Sequence, residues 1–149
     1  MPRQLIGAVA LFMLANAAMA AKTCTLNVES NDAMQYNVKE LKVAADCTEV
    51  EVVLKHTGKM DARTMGHNWV LTKTADFQNL TNTAVAAGFE AGYVPKNDKR
   101  VLAATSLIGG GKSTSVKFPI SKLTRGGDYT FFCSFPGHYA LMKGKLTFG

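Results

Sequence analysis

The chain of 149 residues is 47% hydrophobic and 19% charged, and 17 basic against 11 acidic side chains give it a formal net charge of +6. That length and hydrophobicity fit one domain with a real core. The lysines are scattered rather than gathered into a stripe or interleaved with aromatics, which argues against nucleic-acid binding and suits an acidic protein partner or plain solubility.

From the N-terminus, Arg3 is followed by an uncharged apolar run, Leu5 to Leu14, and then by Ala18-Met19-Ala20, a small-x-small cleavage pattern. This order predicts an export segment over 1–20, removed after Ala20 or Ala21. The apolar run is about ten residues, short of the roughly 20 that a membrane-spanning helix needs. Cys24 follows Ala-Lys-Thr, which is not a lipid-attachment context. The mature chain 21–149 is therefore expected to be one soluble periplasmic domain with no stable membrane association.

Alternation of polar and apolar residues, rich in β-branched and aromatic types, then predicts seven strands. They are Thr23 to Glu29, Glu49 to Lys55, His67 to Thr72, Val101 to Thr105, Ser113 to Phe118, Asp128 to Cys133 and Lys143 to Phe148. Turn residues separate them at Asn31-Asp32, Thr57-Gly58, Gly109-Gly110-Gly111 and Arg125-Gly126-Gly127. This punctuation predicts an antiparallel sandwich or barrel. Thr74 to Lys99 departs from the pattern. Phe77, Leu80, Ala84 and Ala87 recur there at three- and four-residue intervals, so a short helix is expected, inserted outside the sheets.

Two motifs fail on context. Gly109-Gly110-Gly111-Lys112-Ser113 ends like a phosphate-binding loop, but the first glycine of that motif would fall at Ser106, and a strand rather than a helix is expected to follow. A glycine-rich hairpin is the expectation instead. No serine sits in a Gly-x-Ser-x-Gly elbow, and His56, His67 and His138 are the only histidines, so a hydrolase has no support.

The cysteines are Cys24, Cys47 and Cys133. In an exported chain two should pair and one is left over. A Cys24–Cys47 bridge would close a loop of about 24 residues, worth roughly 3 kcal/mol, and would leave Cys133 free. Cys133 opens the most informative segment. It is expected to end a strand, Pro136-Gly137 turns the chain, and His138 and Met142 follow before the last strand. Thiolate, imidazole and thioether on one short loop favour copper, Cu(I) above all, because zinc and iron sites rarely use methionine. His67, at a strand start, is the natural source of a second imidazole. One thiolate, two imidazoles and a weak axial methionine then make a blue-copper set. Metal binding also explains how a free cysteine survives in an oxidising compartment.

The spacing Cys-x4-His-x3-Met, with Phe135-Pro136-Gly137 between ligands and Gly66-His67-Asn68-Trp69 upstream, closely resembles the azurin family of bacterial cupredoxins. The resemblance covers essentially all of 21–149. It implies an all-β Greek-key sandwich or barrel with a short helical flap between the middle strands, and one copper ion cycling between Cu(I) and Cu(II). It further implies that His67 and His138 bind through Nδ1, Cys133 through its thiolate, Met142 through a long axial contact, and the Gly66 carbonyl from the opposite side. By the same resemblance Asn68 would tie the His67 segment to the ligand loop, and the Phe135 N–H would donate to the Cys133 sulfur. Trp69 would fill the core, and His56 matches a family histidine. The implied partners of this monomer are transient redox proteins of the c-type cytochrome, copper nitrite reductase or amine dehydrogenase class.

A closed ligand set leaves no open position for a substrate, which points to an electron carrier rather than an enzyme. Met60, Met65, Pro136, Gly137, Ala140 and Leu141 are apolar or small residues flanking the ligands. They are expected to form an exposed patch for brief docking. The competing readings are a copper-delivery protein and a zinc-loaded structural domain, the second disfavoured by Met142.

Overall fold

The structure, a computed structural model, describes residues 20–149; the expected export segment, apart from Ala20, lies outside the described residues. Strand formation follows the alternation in the sequence. In β4 (Glu49–His56, EVEVVLKH) every second residue, Val50, Val52, Leu54 and His56, is fully buried. Each of the three aliphatic side chains contributes about 1.5–3 kcal/mol of burial. β1 (Thr23–Asn31) lies beside it, burying Val28 and Ser30, and β7 (Ser113–Pro119) covers the other side. The short β2 (Gln35–Tyr36) completes a four-stranded sheet in the order β2-β1-β4-β7.

The second sheet has five strands in the order β3-β9-β8-β5-β6. Its members are β3 (Glu40–Val43), β5 (Val70–Lys73), β6 (Ala103–Ala104), β8 (Tyr129–Phe132) and β9 (Lys143–Phe148). The inner faces of the two sheets enclose Trp69, whose ring stacks on Phe131 at 5.9 Å and on Phe118 at 6.5 Å, one from each sheet. Cys24, near the start of β1, is disulfide-bonded to Cys47 in the turn before β4, with Cα atoms 5.8 Å apart.

Four expectations need correction. The sheets are mixed rather than antiparallel, since β1 pairs with β4 and β3 with β9 in parallel. Hydrophobic alternation reports which face of a strand is buried and carries no direction. β2 and β3 were not expected, because two and four residues are too few to show a period. The strand expected from His67 begins only at Val70, and His67 itself makes an isolated bridge to Ile108. Gly109-Gly110-Gly111 is not a hairpin. It carries the chain from β6 in one sheet to β7 in the other, with the Gly110 and Gly111 N–H groups bonded to the Met60 and His56 carbonyls.

The inserted helix is present as α2 (Phe77–Ala87). It buries Leu80, Thr81 and Ala84, and Phe77 at its start meets the Phe132 ring edge-on at 5.1 Å. Arg100 ties the far end of the insertion back by bonding both Asp98 and the Thr83 hydroxyl on the helix. Among the described residues no helix is long and apolar enough to cross a membrane.

Candidate metal centre

Two segments distant in sequence meet at one end of the sandwich. The first begins with α1 (Ala62–Met65), a single turn capped by Asp61, whose Oδ1 accepts from the Arg63 and Thr64 N–H groups at 2.8 and 3.0 Å. The helix stops at Gly66, where a Cβ would stand 2.3 Å from the Ala62 carbonyl, so no side chain fits. His67 follows, pinned by two backbone hydrogen bonds with Ile108 of 3.0 and 2.9 Å. The second segment is the loop between β8 and β9. The Cys133 N–H donates to the Met142 carbonyl at 3.0 Å, and the Met142 N–H donates to the His138 carbonyl at 2.8 Å. These bonds close the loop on itself and leave little freedom in the spacing of its three side chains.

His67, Cys133 and His138 converge there, all buried, with their donor atoms within 4.8 Å of one another. Cys133 Sγ lies 3.8 Å from His67 Nδ1 and 3.6 Å from His138 Nδ1. In a trigonal first-row metal site with bonds of about 2.0 Å to nitrogen and 2.3 Å to sulfur, nitrogen and sulfur stand about 3.8 Å apart. The three side chains therefore fit around one small ion. Met142 is fully buried in the same core cluster, and the Gly66 carbonyl oxygen is 3.9 Å from Sγ. A thiol, two imidazoles and a thioether are a donor set of the softness that selects copper.

The ring nitrogens are already sorted for this task. His67 Nε2 lies 2.8 Å from the Asn31 carbonyl, which can only accept, so Nε2 carries the proton and Nδ1 presents its lone pair toward Sγ. Burial pushes the Cys133 thiol up to about 12, against the Asn68 and Phe135 N–H groups that favour the thiolate. Burial likewise pushes both His67 and His138 down to about 4. At neutral pH the metal-free centre is thus one thiol and two uncharged imidazoles.

Asn68 braces the arrangement. Its Oδ1 accepts from the Ser134 N–H at 2.9 Å, and its Nδ2 donates to the Ser134 hydroxyl at 2.8 Å and to the Gly92 carbonyl at 2.9 Å. Its own carbonyl accepts from the Tyr36 hydroxyl. Asn68 so joins the His67 segment to the ligand loop and the insertion through its side-chain amide, and to β2 through its backbone carbonyl. The Phe135 ring stacks on His138 at 4.3 Å and meets Tyr93 of the insertion edge-on at 5.3 Å. His56 stacks on His67 at 4.4 Å, with Nε2 bonded to the Met65 carbonyl and Nδ1 to the Gly58 N–H.

Around the centre, Leu141 is 60% and Met60 44% exposed, and Pro136, Gly137 and Ala140 are exposed as well. Met65 is half-buried instead of open. His138 is only 4% exposed, so its ring lies just beneath this loop surface. The Lys39 ammonium donates to the Leu141 carbonyl at 2.8 Å, which puts a positive charge beside it. The contacts missed in the sequence are the Asn31 and Gly92 carbonyls, the Ser134 hydroxyl and the Tyr36 hydroxyl. Backbone carbonyls have no residue signature, and nothing in the spacing of Ser134 or Tyr36 marks them.

The family model described as copper binding proteins, plastocyanin/azurin family, matches residues 22–149. An azurin of Bordetella pertussis is 49% identical over 144 residues, covering 97% of this chain and 96% of its own length. An azurin of Achromobacter denitrificans is 55% identical over 126 residues, 85% of each chain. A solved azurin structure from Methylomonas sp. strain J superimposes with a TM-score of 0.82 at 44% identity, covering 85% of this chain and 98% of that one.

Proposed function

The chain belongs to the plastocyanin/azurin family of copper-binding proteins, and on that premise we propose that His67, Cys133 and His138 are the strong ligands of its copper. Met142 would add a weakly bound thioether to that set, and the Gly66 carbonyl, 3.9 Å from Sγ, would lie beside it. The protein is a blue copper electron carrier and not an enzyme. The carrying observation is the free, buried Cys133 thiol with two imidazole Nδ1 atoms at 3.6 and 3.8 Å, drawn from two separate segments.

Bound there, copper supplies one electron at a time by exchange between Cu(I) and Cu(II). The chain's part is to keep the donors still while that charge changes. The self-bonded loop, the Ile108 bridge and the Asn68 amide hold both segments, and the Asn68 and Phe135 N–H groups stabilise negative charge on the sulfur. Complete burial of Cys133, Met142 and His67 excludes water from the donors. A buried, two-segment ligand set also disfavours a delivery protein, which must surrender its metal.

Electrons enter and leave beside His138, whose ring underlies the exposed residues Pro136, Gly137, Ala140 and Leu141. Exposed Met60 extends this docking patch along the loop that leads to His67, with the half-buried Met65 behind it. Its transient redox partners are of the c-type cytochrome, copper nitrite reductase or amine dehydrogenase class, and Lys39 with the basic net charge favours acidic ones. Residues 1–20 direct export to the periplasm and are removed after Ala20 or Ala21, leaving a monomer. The Cys24–Cys47 disulfide supports an oxidising compartment.

Copper loading tests the centre. The protein is expected to gain strong blue thiolate-to-copper absorption that bleaches reversibly on reduction, and Cys133→Ser is expected to abolish the band. A colourless copper complex of the unaltered protein sinks this reading.

A further inference from the structure

The turn between β1 and β2 reaches the metal centre through one backbone atom, the Asn31 carbonyl that accepts from His67 Nε2 at 2.8 Å. A carbonyl at a strand end is only as fixed as the turn that carries it. Asp32, the next residue, supplies the fixing. Its carboxylate crosses to the loop after β4, where Oδ2 accepts from the Lys59 N–H at 2.8 Å and Oδ1 from the Met60 N–H at 3.3 Å. The packing there is close: a Cβ at Gly58 would stand 2.1 Å from Asp32 Oδ1.

The same carboxylate lies 3.9 Å from Nε2 of His56, the ring that stacks on His67 at 4.4 Å. Among the described residues no lysine or arginine side chain pairs with it. Above all the Lys59 N–H, with smaller help from the Met60 N–H, holds its pKa below the usual carboxylate value, so the group is ionised at neutral pH. A fixed negative charge therefore stands one imidazole away from a ligand of the copper.

We propose that Asp32 is a positioning residue of the metal centre. It bolts the β1–β2 turn to the loop after β4, and so holds the Asn31 carbonyl on His67. Its charge, met by no lysine or arginine side chain among the described residues, favours the oxidised centre over the reduced one. This role presupposes the copper assignment above. The sign of the charge effect follows from Coulomb's law, because a nearby carboxylate stabilises the state of higher positive charge. Removing the charge raises the reduction potential. Removing the whole carboxylate also frees the turn, and losing the partner behind a histidine ligand lowers metal affinity by about tenfold or more.

Three variants separate these effects. Asp32→Asn keeps the shape and one acceptor but removes the charge, whereas Asp32→Ala removes both. Asp46→Asn makes the same change in net charge at the far end of β1, where Asp46 pairs only with Lys22. In copper-loaded protein, Asp32→Asn is expected to raise the reduction potential and Asp46→Asn to leave it alone. Asp32→Ala is expected to lower copper affinity about tenfold. In the copper-free protein it should also speed solvent exchange of the His67 Nε2 proton, read by NMR. A wild-type potential in Asp32→Asn overturns the charge effect, and wild-type His67 exchange in Asp32→Ala overturns the bolt. If the unaltered protein shows no blue band, the copper reading fails by itself, and the exchange experiment still decides the positioning role.

Discussion

Cys133 is held as a buried thiol that must lose its proton to bind a metal. Its thiol is fully buried and its pKa is pushed up to about 12, yet the Asn68 and Phe135 N–H groups are aimed to favour the thiolate. His67 and His138, pushed down to about 4, are uncharged at pH 7, each with one ring nitrogen protonated and the other free to bind a metal. Copper binding at pH 7 is therefore expected to release one proton, from the thiol alone. Affinity then falls tenfold for each pH unit of acidification, and falls more steeply below about pH 4, where protons also compete for the imidazoles. Titrating copper in two buffers of different ionisation enthalpy counts the protons, and a count near zero or three contradicts this order. Met142 plays a different part. Met142→Ala leaves a cavity in a closed site and is expected to cost about 2–5 kcal/mol of stability. Copper and the blue band should remain and the potential should shift; complete loss of copper would contradict a weak axial role.

Among the elements, the ligand loop from Cys133 to Met142 was the most legible, because three donors of one chemical character fall within one turn of chain between two strands. The helical insertion was legible too, from the spacing of Phe77, Leu80 and Ala84. Its coupling to the centre was not. That coupling runs through the Gly92 carbonyl and the Tyr93 ring, and neither belongs to a periodic pattern. The loop's outer face carries the docking prediction. Leu141 is 60% exposed, so Leu141→Glu is expected to change stability by less than about 0.5 kcal/mol. The blue band should not change, while electron self-exchange, which brings two such faces together, slows by about tenfold from like-charge repulsion. Unchanged self-exchange with an altered spectrum would place docking elsewhere.

For the molecule as a whole, the centre lies at the end of the sandwich where β1 delivers Asn31, and the disulfide lies near the other end of the same strand at Cys24. Seven residues of extended chain separate them by about 23 Å. Stability and site chemistry are therefore separable. The double variant Cys24→Ser, Cys47→Ser is expected to lose roughly 3 kcal/mol, the loop-closure value for this span. Its copper spectrum and potential should match the unaltered protein. A shifted spectrum would mean that the two ends of the sandwich are mechanically coupled.

Local chemistry in the sequence determined which residues alternate into a core, that one cysteine of three is left over, and that the leftover stands beside a histidine and a methionine in a copper-like set. Those features are legible because side-chain identity and short spacing carry them. Tertiary structure decided the rest. Strand direction, the approach of His67 to Cys133 across 66 positions, and the carbonyls that orient His67 and Asn68 depend on backbone packing between distant segments. A backbone carbonyl is the same in every residue, so its partner appears only when the chain is folded.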